Sequence, residues 1–167
     1  KHSRELDGCG SLSIETEPPG AQVYLFRYVG QQRRLFPVPW KAGADWEPKL
    51  ARGEAKSTAG FYLKPTPKDD AAFIGRSPIP RMPVEMGSYL VVLKRKGHQD
   101  VRQPVLVGRN EDAGAHVRLY TDAEIGGGFV YVPGGRFIAG GDREVLGVER
   151  QVIRLGDFFI SQFPVTC

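Results

Sequence analysis

Backbone breakers set the first limit on this chain. Its 21 glycines and 13 prolines make up 34 of 167 residues, about a fifth, and they recur from one end to the other. Proline lacks the amide that a helix interior needs, and glycine costs a helix conformational entropy. That density excludes a helical bundle and predicts a mainly β chain of short strands joined by turns. Between the breakers, apolar residues recur at period two. From Gly10 to Glu17, Leu12 and Ile14 alternate with Ser11, Ser13 and Glu15, the pattern of a half-buried strand. Pro18-Pro19-Gly20-Ala21 stops it, with Gly20 free to take a positive φ. Ala21, Val23 and Leu25 then alternate with Gln22, Tyr24 and Phe26, which predicts a second strand folding back on the first.

The pattern weakens between residues 27 and 73, which read as a long insertion or loop, with a marginal helix over Leu50 to Ser57 and with Leu35, Phe36, Val38 and Trp40 as its anchors. Ser88 to Lys94 is the strongest strand. Its apolar residues occupy both parities, so it is expected to be central and covered on both faces. Val101, Val105 and Val107 mark a partner strand that Pro104 assigns to a sheet edge, and Val117, Leu119 and Thr121 suggest one more strand. Gly126-Gly127-Gly128 reads as a linker. Beyond it, Phe129 to Gly141 looks like a hairpin turning at Pro133-Gly134-Gly135, followed by short strands at 152–155 and 158–161 and by Thr166 as the N-cap of a further helix.

The chemistry is sparse. No nucleotide-binding glycine fingerprint is present. Gly75-Arg76-Ser77-Pro78-Ile79 begins like a nucleophile elbow but ends on isoleucine, so Ser77 is read as a turn residue. His2, His98 and His116 have no Cys or His at metal-ligand spacing, and Cys9 and Cys167 form neither a disulfide framework nor an activated thiol. Asp69-Asp70 and Glu111-Asp112 are read as solvated loop pairs. No catalytic residue, metal ligand or cofactor is assigned. The net charge of +4 is dispersed, and its one tight cluster, Lys94-Arg95-Lys96, is read as a solvated hairpin tip, so no specific nucleic-acid partner is expected. The longest apolar runs, Tyr89 to Leu93 and Phe129 to Val132, fall well short of the roughly 20 residues of a membrane helix. Low cysteine usage mildly favours a cytoplasmic location, with the cell envelope as the alternative.

Two stretches are similar to known families. Ser13 to Leu25, Ile74 to Ile79 and Met86 to His98, in that order, resemble the PEGA domain, a small bacterial β-sandwich-like module whose namesake motif corresponds to Pro18-Pro19-Gly20-Ala21. Phe129 to Asp142 followed by Val152 to Thr166 resembles the opening of the formylglycine-generating enzyme, or sulfatase-modifying-factor, domain, whose fold is related to C-type lectins. That family's catalytic cysteine pair lies near the far end of its domain and maps onto no residue here, Cys167 included. The two in succession look like the C-terminal region of certain bacterial serine/threonine protein kinases.

The resemblances imply a ragged start or linker at 1–9, a PEGA-like β-sandwich over 10–121 with its insertion at 27–73, a linker at 122–128, and over 129–167 the first strands of an incomplete C-type-lectin-like α+β domain. The expected function is a non-catalytic binding or regulatory fragment of a multidomain bacterial protein, with a kinase parent. The alternative is part of an oxidase that converts a target cysteine to formylglycine. Expected partners are a protein or envelope ligand and the remainder of the polypeptide at both ends. Phe129, Val130, Val132, Phe137, Ile138, Phe158, Phe159, Ile160 and Phe163 supply more apolar surface than a few isolated strands can bury, so 129–167 is expected to be only conditionally ordered.

Overall fold

The computed structural model describes residues 8–31, 34–41, 71–141 and 149–164. The expectations for Leu50 to Ser57, His2, Asp69-Asp70, Thr166 and Cys167 lie outside them. The chain is mainly β, as its breakers require. Among the described residues twelve strands run in order: β1 (Cys9–Glu17), β2 (Gln22–Gln31), β3 (Arg34–Pro39), β4 (Phe73–Arg76), β5 (Ile79–Glu85), β6 (Gly87–Lys94), β7 (Val101–Val107), β8 (Asp112–Arg118), β9 (Phe129–Val132), β10 (Gly135–Ala139), β11 (Gln151–Leu155) and β12 (Phe158–Ser161). A single turn of helix, α1 (Asp122–Ile125), separates β8 from β9.

Two sheets make the sandwich. One has the order β5-β1-β8, with β1 antiparallel to β5 and parallel to β8; the other has the order β3-β2-β6-β7, with β4 also pairing β2. Their facing sides share one core in which Leu12, Ile14, Val23, Leu25, Val91 and Leu93 are fully buried. Burying each such side chain stabilises the fold by about 1.5–3 kcal/mol. The five-stranded sheet also buries its other face, where Tyr24, Phe26, Ala72, Leu90 and Val92 form a second cluster. The double parity of Tyr89 to Leu93 therefore has the expected meaning: all five residues are buried, on alternating sides.

The pairing of the first two strands differs from the sequence expectation. β1 is flanked on both sides by β5 and β8, which leaves no edge for β2. Instead of closing a hairpin, Pro18-Pro19-Gly20-Ala21 carries the chain across from one sheet to the other. Gly20 takes φ 90°, a conformation costly to any residue with a Cβ. The return crossing, β4 to β5, passes through Ser77 and Pro78. The two crossings are bonded to each other: Gly20 N–H donates to the Ser77 carbonyl (2.9 Å), Ser77 N–H to the Ala21 carbonyl (2.8 Å), and Ala21 N–H to Ser77 Oγ (3.0 Å). Ser77 Oγ also hydrogen-bonds the Thr16 hydroxyl, and both side chains are buried. Ser77 is thus a turn residue with a structural hydroxyl.

Three further expectations are corrected. β2 does not end near Phe26: it runs on to Gln31 and pairs with β3, so the first part of the supposed insertion is a two-stranded ribbon overhanging the sandwich. Trp40 packs against the core at its base, whereas Val29, Gly30 and Leu35 at its tip are exposed and held by backbone pairing, which is why no apolar alternation announces the tip. Thr121 caps α1 rather than extending a strand, through a reciprocal capping box with Glu124, while β8 starts earlier, at Asp112, with Ala113, Ala115 and Val117 facing inward. Phe129 to Gly141 is not a hairpin on itself, because β9 pairs β12 and β10 pairs β11. Arm β9–β10 and arm β11–β12 form one long nested ribbon, bent where Pro133 interrupts the first arm and Gly156 the second.

Prolines sit on the edge strands. Trp40 N–H donates to the Leu25 carbonyl, so by strand parity the amide positions of residues 37 and 39 point away from β2; both are proline, and that edge lacks those donors for an incoming strand. Pro104 sits on β7, the opposite edge of the same sheet, as its missing amide requires.

Replacing Gly20 by valine should destabilise the fold by about 1–3 kcal/mol, because a β-branched residue must adopt φ 90° at the crossing. Chemical denaturation should show a lowered midpoint; an unchanged midpoint would mean that the corner relaxes freely.

Candidate functional site

Among the described residues the sandwich is open at the end where β1 begins. There the β2–β3 ribbon overhangs the ends of β1 and β5 and a cavity of about 300 Å³ forms. Trp40, Tyr89, Pro83 and Val84 give it apolar walls, and Cys9 stands at the start of β1. Arg27 of β2 and Glu85 of β5 form an ion pair at the rim, their side chains 43% and 64% exposed. The Tyr89 hydroxyl donates to the Glu85 backbone carbonyl (2.8 Å), which fixes the end of β5 against β6. Burial raises the Tyr89 pKa above its ordinary value, with Glu85 and Cys9 adding to the effect and Arg27 opposing it, so the phenol stays a neutral donor.

The residues singled out from sequence are scattered. His98 lies in the turn after β6, and His116 pairs with Glu15 at 3.4 Å on the solvated side of β8. Glu111 pairs with Arg136, and Asp112 with Arg81, so this acidic pair is engaged with arginines rather than simply solvated. The basic triplet is also partly engaged: Lys94 pairs with Asp100 at 2.6 Å, and Arg95 donates to the Pro19 carbonyl at the crossing. Among the described residues no three His, Cys, Asp or Glu side chains gather as a metal site, and no helix is long and apolar enough to cross a membrane. The cavity unites segments from four strands and the residue after β3, with no local motif to betray it.

A second surface lies on the nested ribbon. Tyr131 of β9 is its buried anchor, absent from the apolar set read from sequence, although its parity with Phe129 places the two on one face. Its ring stands 4.8 Å from that of Tyr120 and 5.7 Å from that of Phe159, while Tyr120 and Phe159 are 5.3 Å apart; the Arg118 guanidinium covers Tyr120 at 4.9 Å. This cluster docks the ribbon on the sandwich. Asp157, at the bend of the second arm, accepts from the Tyr131 hydroxyl (2.8 Å) and from Gly134 N–H (2.9 Å), tying the two arms together. A Cβ on Gly134 would stand 2.8 Å from both Asp157 Oδ1 and the Leu155 carbonyl, so the close approach demands glycine.

The opposite face of β9 and β12 carries Val130, Val132, Phe158 and Ile160. Phe158 and Ile160 remain 41% and 53% exposed, and Phe163 just beyond is 71% exposed. This short ribbon is apolar on both faces and uses only one. Compared with known proteins, the chain matches no family model, no curated protein and no solved structure.

The Tyr131 pKa is raised well above the ordinary 10.0 by burial first and then by its bond to Asp157. A raised folded-state value means that its contribution to stability is complete below pH 10.0 and is lost as pH rises towards the folded pKa. Alkaline titration should therefore ionise Tyr131 last, in step with release of the ribbon, and Tyr131→Phe should remove that late-titrating tyrosinate from the absorbance curve. A Tyr131 that titrates together with the other tyrosines would contradict this packing.

Proposed function

We propose that this chain is a non-catalytic binding and regulatory module of a bacterial multidomain protein. On this reading a PEGA-like sandwich carries the opening strands of a sulfatase-modifying-factor domain, in the domain order of certain bacterial serine/threonine protein kinases. The observation that supports it most is the unused apolar face of β9 and β12. Strands apolar on both sides are characteristic of the interior of a domain, where both faces are covered. A contiguous patch of Val130, Phe158 and Ile160 exposed to water, with Val132 half-buried beside them, is the mark of an interaction surface. Its partner is an apolar protein surface, a helix or sheet face that completes the layer. The PEGA-like part is the scaffold, holding the ribbon through Tyr120, Tyr131 and Phe159 so that one face stays presented.

The double substitution Phe158→Lys and Ile160→Lys changes only the face turned away from Tyr131. It should lower binding of an apolar-surface dye by the chain severalfold while shifting the sandwich's stability by no more than about 0.5 kcal/mol. Dye binding unaffected by the substitution would remove this face as the working surface. Loss of the whole sandwich transition would show that the ribbon belongs to its core.

A further inference from the structure

The mouth cavity has features of a ligand site that the docking face does not share. Its volume of about 300 Å³ is at the small end of ligand pockets, the scale of a single small metabolite rather than a nucleotide. Its walls are mixed polar and apolar, with an indole and a phenol ring among them, and among the described residues its charged feature is the Arg27–Glu85 pair. Both charges reach solvent, so the pair contributes little to stability and is readily exchanged for other partners. Arg27 engages Glu85 through Nη1, and the guanidinium has further N–H groups for a second anion. The carboxylate of Glu85 is carried on a strand end that the Tyr89 hydroxyl bond holds in place, and Tyr89 sits directly across from Arg27 in the β2–β6 register, so both charges stand on fixed backbone.

A ligand with a single charge would engage one member of this pair and leave the other to water. A zwitterion satisfies both at once. We propose that the mouth cavity binds a free α-amino acid with an aromatic side chain, its carboxylate on Arg27, its ammonium on Glu85 and its ring against the Trp40 wall. This assignment does not depend on the docking face of β9 and β12.

Isothermal titration calorimetry of the whole chain tests it with four probes: phenylalanine; phenylpropionate, which lacks the ammonium; phenylethylamine, which lacks the carboxylate; and glycine, which lacks the ring. Phenylalanine should bind saturably at one site, and each of the other three should bind about tenfold more weakly or worse. Arg27→Gln and Glu85→Gln should each weaken phenylalanine by about tenfold with an unchanged far-ultraviolet circular dichroism spectrum, as expected for exposed side chains. Trp40→Leu should weaken the two aromatic singly charged probes as well as phenylalanine. No saturable heat with phenylalanine at tens of millimolar would overturn the proposal. So would equal affinity for phenylalanine and either singly charged probe, or an affinity for phenylalanine that survives both Arg27→Gln and Glu85→Gln.

Discussion

The architecture depends on the bonding between two crossings of the same sandwich. β1 passes to β2 through Pro18 to Ala21, and β4 passes back to β5 through Ser77 and Pro78; the crossings lie against each other and exchange both backbone bonds and bonds to the Ser77 hydroxyl. Each crossing takes the chain out of one sheet and so leaves amides and carbonyls with no ladder partner. Buried groups of that kind cost about 1–3 kcal/mol each when left unmade. Ser77 satisfies those of the other crossing with its own backbone and side chain. Arg76 and Arg95 complete the arrangement from outside, donating to the carbonyls of Gly20 and Pro19. The Pro18 to Ala21 corner and the Ser-Pro segment that follows far along the chain are therefore one structural unit.

That unit fixes the geometry of everything else. It holds β2 in the sheet opposite β1, so that Leu12 and Ile14 face Val23, Leu25, Val91 and Leu93 across one core. It sets the end at which the sandwich is closed, and the opposite end, where β2 overshoots, becomes the mouth bearing Arg27, Glu85 and Trp40. At the far end of β8, Tyr120 follows directly from the sheet and supplies the platform for Tyr131 and Phe159. Scaffold, mouth and apolar ribbon are thus placed by one sheet-to-sheet crossing pattern.

Strand existence was legible from local alternation, and so was the pairing of β7 with the adjacent β6; partnership between strands distant in the chain was not. Leu12 and Ile14 announce β1, and the double parity of Tyr89 to Leu93 announces a strand buried on both faces, because burial is written residue by residue. Which strand lies beside β1 is a different matter. Its parallel neighbour β8 starts at Asp112, about a hundred residues away opposite Ser11, and nothing in either segment encodes the other beyond complementary small and apolar residues. The same limit explains the ribbon, where a Pro-Gly-Gly sequence that suits a tight corner instead marks a bend in an arm paired with residues some twenty positions on. The mouth was invisible for a related reason: its residues are unremarkable one by one, and only the overhang of β2 brings Arg27 to Glu85.

The Ser77 hydroxyl couples the two sheets, and native-state amide hydrogen exchange on a Ser77→Ala variant tests that most directly. If the crossings act as one unit, Ala21 should lose protection together with the amides of β1 and of β5, strands of the sheet opposite to the one Ala21 enters, while β10 and β11 keep theirs. Faster exchange confined to the immediate neighbours of residue 77, with β1 and β5 protected as before, would show that the two sheets are held together without this clasp and would contradict the account.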